Sequence, residues 1–74
     1  MDWKSFLKKT RQDYGILNKE IPNTFDGFGI MGKEAKKNGL VSEQTKEFVA
    51  LGIAISTRCE SFIGMHIESL IRLG

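Results

Sequence analysis

The sequence predicts an all-α protein of four helices, and three observations support this fold class. Apolar residues recur at helical spacing from Trp3 to Leu17 and again from Phe62 to Ile71. Residues that start or stop helices separate these segments, as at Pro22. The helix-forming stretch SEQTKE continues without a turn signal into an apolar run. We therefore expect a single domain, residues 1–74, built from helices.

The first two helices are predicted from their end signals. The first spans about residues 2–17, and Asp2 suits its N-cap because its short carboxylate can accept from the first backbone amides. The second begins at Pro22, which is tolerated in a first helical turn. It is predicted to end near Gly39, a residue that suits a left-handed C-cap.

The third predicted helix begins after Ser42, a good N-cap, and continues into FVALGIAI. That run is apolar on every side of a helix, so we expect the helix to be buried all round. The same residues could form a central strand, which Val49, Ile53 and Ile55 would suit. Continuity with SEQTKE favours the helix.

The fourth helix is predicted from TRCE, interpreted as a capping box with Thr57 at the N-cap and Glu60 reaching back from N3. This places Cys59 at N2, where unpaired amides, the helix dipole and the adjacent Arg58 favour a thiolate. An activated thiol is therefore expected at Cys59. The only histidine, His66, follows seven residues later in the same helix.

Length and charge limit the possible functions. A chain of 74 residues has a core of marginal size, and its single cysteine excludes an internal disulfide, so oligomerisation is the expected source of stability. The 11 basic and 9 acidic residues are mixed along the chain, and we predict no nucleic-acid partner. Lys4, Lys8 and Arg11 could meet an acidic partner, although such a face is more often merely solvated.

The expected location follows from the cysteine and the N-terminus. A lone cysteine favours a reducing compartment. The opening MDWKSFLKK has no apolar stretch long enough for a signal peptide or a membrane span. We expect a cytoplasmic, soluble protein with no membrane partner.

The candidate site residues also have plain structural explanations. Cys59, Phe62 and His66 belong to an apolar stripe that is typical of core packing. Glu47 could be a surface carboxylate beside Lys46, but it leads into a buried run, where desolvation would suit it to proton relay. A zinc site of Glu47, Cys59 and His66 lacks the ligand number and spacing of structural sites. We predict no metal or other cofactor.

The stretch EFVALGIAISTRCESFIGMHIESLIRLG, with IPNTFDGF and LVSEQTKE before it, resembles the carboxymuconolactone decarboxylase and alkyl hydroperoxidase D (AhpD-like) family. The redox branch of that family carries a glutamate, eleven residues, Cys-x-x-Cys, three residues and a histidine. Glu47, Cys59 and His66 occupy three of these positions, and Phe62 stands at the second cysteine. The similarity covers about residues 21–74.

The resemblance implies an AhpD-like helical fold that assembles into trimers or hexamers. It also implies a thiol peroxidase relay with catalytic Glu47, Cys59 and His66 and a partner dithiol as electron donor. A cysteine at position 62 could pair with Cys59 and exchange a proton with His66, and Phe62 can do neither. We therefore expect an impaired, one-cysteine peroxide reductase.

Two other functions stay open at this point. The family's lyase branch does not require the cysteine pair and uses a histidine and a carboxylate for proton transfer on a lactone acid. A non-catalytic oligomeric helical protein could keep the fold after losing the second cysteine.

The length of the chain also differs from the family pattern. Family members continue past the equivalent of Gly74 with further helices, so we expect this chain to be a fragment, a truncated product or a shortened relative.

Overall fold

A computed structural model describes residues 1–74, which form four α-helices and no strands. The helices are α1 (Trp3–Glu20), α2 (Pro22–Ala35), α3 (Glu43–Ser56) and α4 (Glu60–Leu73). The predicted all-α class is confirmed, and the alternative of a strand in FVALGIAI is wrong. The helices form two compact units, Met1–Ala35 and Lys36–Gly74. A single domain over residues 1–74 stays a prediction.

The first unit contains α1 and α2, joined by Ile21 alone. The Asp2 carboxylate accepts from the backbone N–H groups of Lys4 and Ser5 at 3.1 and 3.3 Å, which confirms the predicted N-cap. Helix α1 continues one turn beyond Leu17 because the first obstacle to a helix is Pro22, which forces the preceding residue out of the helical region.

The end of α2 differs from the prediction. The helix ends at Ala35, and Gly39 does not have a positive φ, so the predicted left-handed cap at Gly39 is wrong. The chain leaves the helix at Lys36, whose ammonium instead pairs with Glu47 at 3.1 Å. Helix α2 therefore ends earlier than the sequence predicts, and the residue that follows it forms an ion pair with α3.

The second unit is an antiparallel hairpin of α3 and α4. Ser42 is the N-cap of α3, as predicted, and its Oγ accepts from the Thr45 N–H at 3.1 Å. Glu43 at the start of α3 pairs with Arg72 at the end of α4, with 3.5 Å between the charged atoms. This pair shows that the two helices run in opposite directions.

The turn between α3 and α4 is a Schellman motif, and the predicted capping box is wrong. Thr57 is the C-cap of α3, and its hydroxyl donates to the Ile53 carbonyl at 2.9 Å. The N–H of Cys59 donates to the Ala54 carbonyl at 2.9 Å, and that of Arg58 to the Ile55 carbonyl at 3.1 Å. Helix α4 therefore begins at Glu60, and Cys59 is its N-cap rather than N2.

Helix α3 is not enclosed by this chain. Its buried residues are Glu47 and Ala54, whereas four large apolar side chains are more than half exposed: Phe48, Val49, Ile53 and Ile55. One antiparallel neighbour covers only one face of a helix. Burial of α3 on every side would need other chains of an oligomer, so this expectation stays a prediction.

No helix in this structure combines the length and the apolar character that a membrane crossing requires.

Replacing Arg58 with glycine is expected to stabilise the fold by about 0.5–1 kcal/mol. Arg58 has a φ of 57°, a left-handed conformation that costs an L-residue roughly 1–2 kcal/mol and costs glycine little. Urea denaturation followed by circular dichroism measures the change. Arg58→Ala removes the same charge but keeps Cβ, so it is the control. Equal stability of the glycine and alanine variants would contradict the strain at this position.

Candidate functional site

The hairpin brings Glu47 and His66 together across its two helices. Glu47 lies in the second turn of α3 and His66 in the middle of α4. His66 Nδ1 is 2.6 Å from Glu47 Oε2, and the Lys36 ammonium is 3.1 Å from Oε1. The side chains of Glu47 and His66 are 1% and 15% exposed. Each carboxylate oxygen thus has a partner, as a buried charge requires.

Hydrogen bonds around the start of α3 hold Lys36 beside Glu47. The ammonium of Lys46 donates to the Lys37 carbonyl at 2.7 Å. The Asn38 side-chain oxygen accepts from the Glu43 N–H, also at 2.7 Å. These bonds fix the segment that follows α2 against the first turn of α3. Lys36 is therefore positioned by its backbone as well as by its charge.

The pKa of the Glu47 carboxyl lies below its ordinary value of 4.5. Burial, the largest single effect, favours the neutral acid and opposes this shift. The hydrogen bonds from His66 and Lys36, together with the positive charge of the Lys36 ammonium, outweigh burial. Glu47 is consequently an ionised carboxylate at neutral pH.

The ionised carboxylate determines which nitrogen of His66 carries hydrogen. A carboxylate can only accept, so Nδ1 of His66 must donate its N–H to Glu47. In a neutral imidazole the other nitrogen, Nε2, then keeps its lone pair and can accept a proton. A carboxylate that orients an imidazole in this way is a common element of proton-transfer sites.

His66 lies on a depression of about 270 Å³ on the surface of the hairpin. Phe62 stacks on the imidazole, with 5.8 Å between ring centroids and 23° between ring planes. Cys59, which is half-buried, also lines the depression. The remaining lining residues are Ala50, Ile53, Ala54 and Thr57. The surface is mostly apolar, with a thiol and an imidazole as its reactive groups.

The structure places the three predicted site residues in one hairpin, but only two of them are in direct contact. Glu47 and His66 form a direct pair, whereas Cys59 shares only the depression with His66. Lys36 was missed as a site residue because nothing in the sequence links a lysine at a helix end to a glutamate in the next helix. No three His, Cys, Asp or Glu side chains are grouped as metal ligands.

The fold and the site define a small all-helical protein whose second unit holds a buried carboxylate–imidazole pair beside a cysteine. The chain is 33% identical over 67 residues to a protein of Haemophilus influenzae (strain ATCC 51907 / DSM 11121 / KW20 / Rd) described as "Uncharacterized protein". The alignment covers 90% of this chain and 59% of that relative, so the chain spans about three fifths of the relative's length. No protein-family model and no solved structure matches the chain. The AhpD-like assignment stays a prediction.

Proposed function

We propose that this protein is an AhpD-like, thiol-dependent hydroperoxide reductase that works with one cysteine. In this proposal Cys59 is the reacting thiol, and His66, oriented by Glu47, is the proton-transfer group. The observation that carries the proposal is the 2.6 Å contact between Glu47 and His66. It joins two of the three positions that the family resemblance assigns to the relay, on a surface that also contains the third.

The chemistry proceeds in two stages. Cys59 and His66 share only the lining of the depression, so we propose that water carries the Cys59 proton to His66 Nε2. The thiolate then attacks the terminal oxygen of a hydroperoxide. The O–O bond breaks, the alkoxide takes the proton to leave as an alcohol, and Cys59 becomes a sulfenic acid. One external thiol condenses with the sulfenic acid to release water and form a mixed disulfide, and a second thiol releases Cys59. A partner dithiol can supply both thiols.

The lyase branch is the second candidate, and one observation favours it. The Glu47–His66 pair is complete without a second thiol, and Phe62 stacks on the imidazole at the place of that thiol. A neutral histidine with an available Nε2 can remove a proton from a lactone acid without help from Cys59. The two candidates therefore differ in whether Cys59 is required.

The proposal includes a homo-oligomer, a trimer or a hexamer, in the cytoplasm. The four exposed apolar side chains of α3, Phe48, Val49, Ile53 and Ile55, support association because a large apolar surface on a small protein is usually covered. The single cysteine supports a reducing compartment.

Cys59→Ser is expected to abolish hydroperoxide reduction while leaving the fold intact. Serine is a better N-cap than cysteine, so this variant should be at least as stable as the wild type. Hydroperoxide consumption with dithiothreitol as donor measures the effect. His66→Gln should slow the same reaction by about 10²-fold or more, as expected for loss of positioned proton transfer.

The outcome of this experiment separates the candidate functions. Hydroperoxide consumption that persists in Cys59→Ser would contradict the reductase. Proton exchange on a lactone acid that survives Cys59→Ser but not His66→Gln would favour the lyase. A wild-type protein that is inactive in both assays would indicate the non-catalytic helical protein.

A further inference from the structure

The buried carboxylate of Glu47 has a partner that lies outside the predicted Glu–Cys–His pattern. The Lys36 ammonium is 3.1 Å from Oε1, the oxygen that His66 does not contact. Its side chain is 39% exposed, whereas that of Glu47 is 1% exposed. The lysine therefore connects a buried charge to the protein surface.

We propose that Lys36 is a positioning residue of this site, which keeps Glu47 ionised and fixed so that Glu47 can hold His66 with Nε2 available. This inference rests on the proposed function only for its catalytic consequence. The arrangement of charges is independent of which reaction the site performs.

The other nearby cations are engaged elsewhere. Lys46, on the same helix as Glu47, donates to the Lys37 carbonyl. Arg72, on α4, pairs with Glu43 at the open end of the hairpin. From α4 itself, His66 is the titratable group that meets the carboxylate. Lys36 thus supplies the permanent positive charge beside the Glu47 carboxylate.

The charge of Lys36 determines what His66 must contribute. With Lys36 present, the carboxylate already has a cationic partner at one oxygen and needs only the Nδ1–H of His66 at the other. Without Lys36, a buried carboxylate is stabilised either by its own protonation or by an imidazolium. In both cases His66 loses the combination of an oriented Nδ1–H and a basic Nε2. Lys36 therefore acts on the reaction through Glu47.

The test follows the titration of the Glu47 carboxyl in the full chain by ¹³C NMR. Lys36→Met is expected to move the Glu47 midpoint to higher pH, because it removes a charge that favours the ionised form. Lys36→Arg should restore the wild-type midpoint, since arginine keeps the charge. Lys33→Met, at an exposed position in α2, removes the same charge from the chain and should leave the midpoint unchanged.

A Glu47 midpoint that is the same in folded Lys36→Met and the wild type would overturn the proposal. An equal shift in Lys33→Met would overturn it too, because the effect would then be one of net charge. Lys36 is partly exposed, so Lys36→Met is expected to fold. If it does not, Lys36→Gln removes the same charge but keeps a hydrogen-bond donor and can be used instead. The two proposals fail separately. Hydroperoxide reduction by Cys59→Ser would contradict the proposed reductase function but would leave the Glu47 titration result unchanged.

Discussion

Replacing Glu47 with alanine is expected to lower the free energy of unfolding by about 2–4 kcal/mol. The change removes a fully buried side chain and leaves two former partners, the His66 Nδ1–H and the Lys36 ammonium, without their acceptor. Such a loss is a large part of the stability of a 74-residue protein. Urea denaturation at neutral pH measures it.

The matched control is Glu43→Ala. Glu43 is also on α3, and it also contacts a cation, Arg72, at 3.5 Å. That pair is more exposed, so its loss should cost less than about 1 kcal/mol. If Glu47→Ala and Glu43→Ala destabilised the protein equally, the buried pair would have no special role in holding α3 to α4.

The same residue sets a dependence of stability on pH. The pKa of Glu47 in the folded protein lies below the ordinary value of 4.5 that applies to the unfolded chain. The resulting stabilisation is fully present above the unfolded value and is lost as the pH falls through the folded value. In Glu47→Gln this contribution is absent, so the difference in stability between wild type and variant should shrink as the pH is lowered below 4.5. A constant difference would contradict the shift.

Phe62→Cys is expected to raise hydroperoxide turnover with a dithiol donor on the order of 10²-fold, the scale of positioned proton transfer. The new thiol lies three residues after Cys59 and four before His66, so it can resolve the Cys59 sulfenic acid and exchange a proton with the imidazole. Phe62 is only partly buried, so the stability cost should be about 1–2 kcal/mol. Steady-state peroxide consumption measures the gain.

Phe62→Ser is the control, because it opens the same space and unstacks the same imidazole without adding a thiol. The gain should be absent in Phe62→Ser and in Phe62→Cys combined with Cys59→Ser. A folded Phe62→Cys protein that is no more active than Phe62→Ser would contradict the one-cysteine reductase and favour the non-catalytic helical protein.

Most of the helical structure could be predicted from local signals. The Asp2 and Ser42 caps and the start at Pro22 are all present, because capping and proline effects act within the first turn of a helix. The Thr57 cap was assigned to the wrong helix. A hydroxyl between two helices can serve either one, and here the left-handed Arg58 closes the turn so that Thr57 bonds back to α3.

The candidate site was only partly predictable. The family resemblance assigned Glu47, Cys59 and His66 to one relay, but residue types and spacing alone contain no signal that Glu47 and His66, 19 residues apart, meet at hydrogen-bond distance. Nor do they indicate that Lys36 reaches the other oxygen of the same carboxylate. The structure also places Cys59 apart from this pair, at the N-cap of α4.

Local sequence signals were therefore sufficient to predict an all-helical chain, most of its helix starts and the residue types available for chemistry. Those properties depend on interactions between residues at most four positions apart. The antiparallel pairing of α3 with α4, the burial of Glu47 and the contacts of its carboxylate with Lys36 and His66 are visible only in the folded chain. A buried charge needs partners in space, and only the packing of one helix against another brings them within reach.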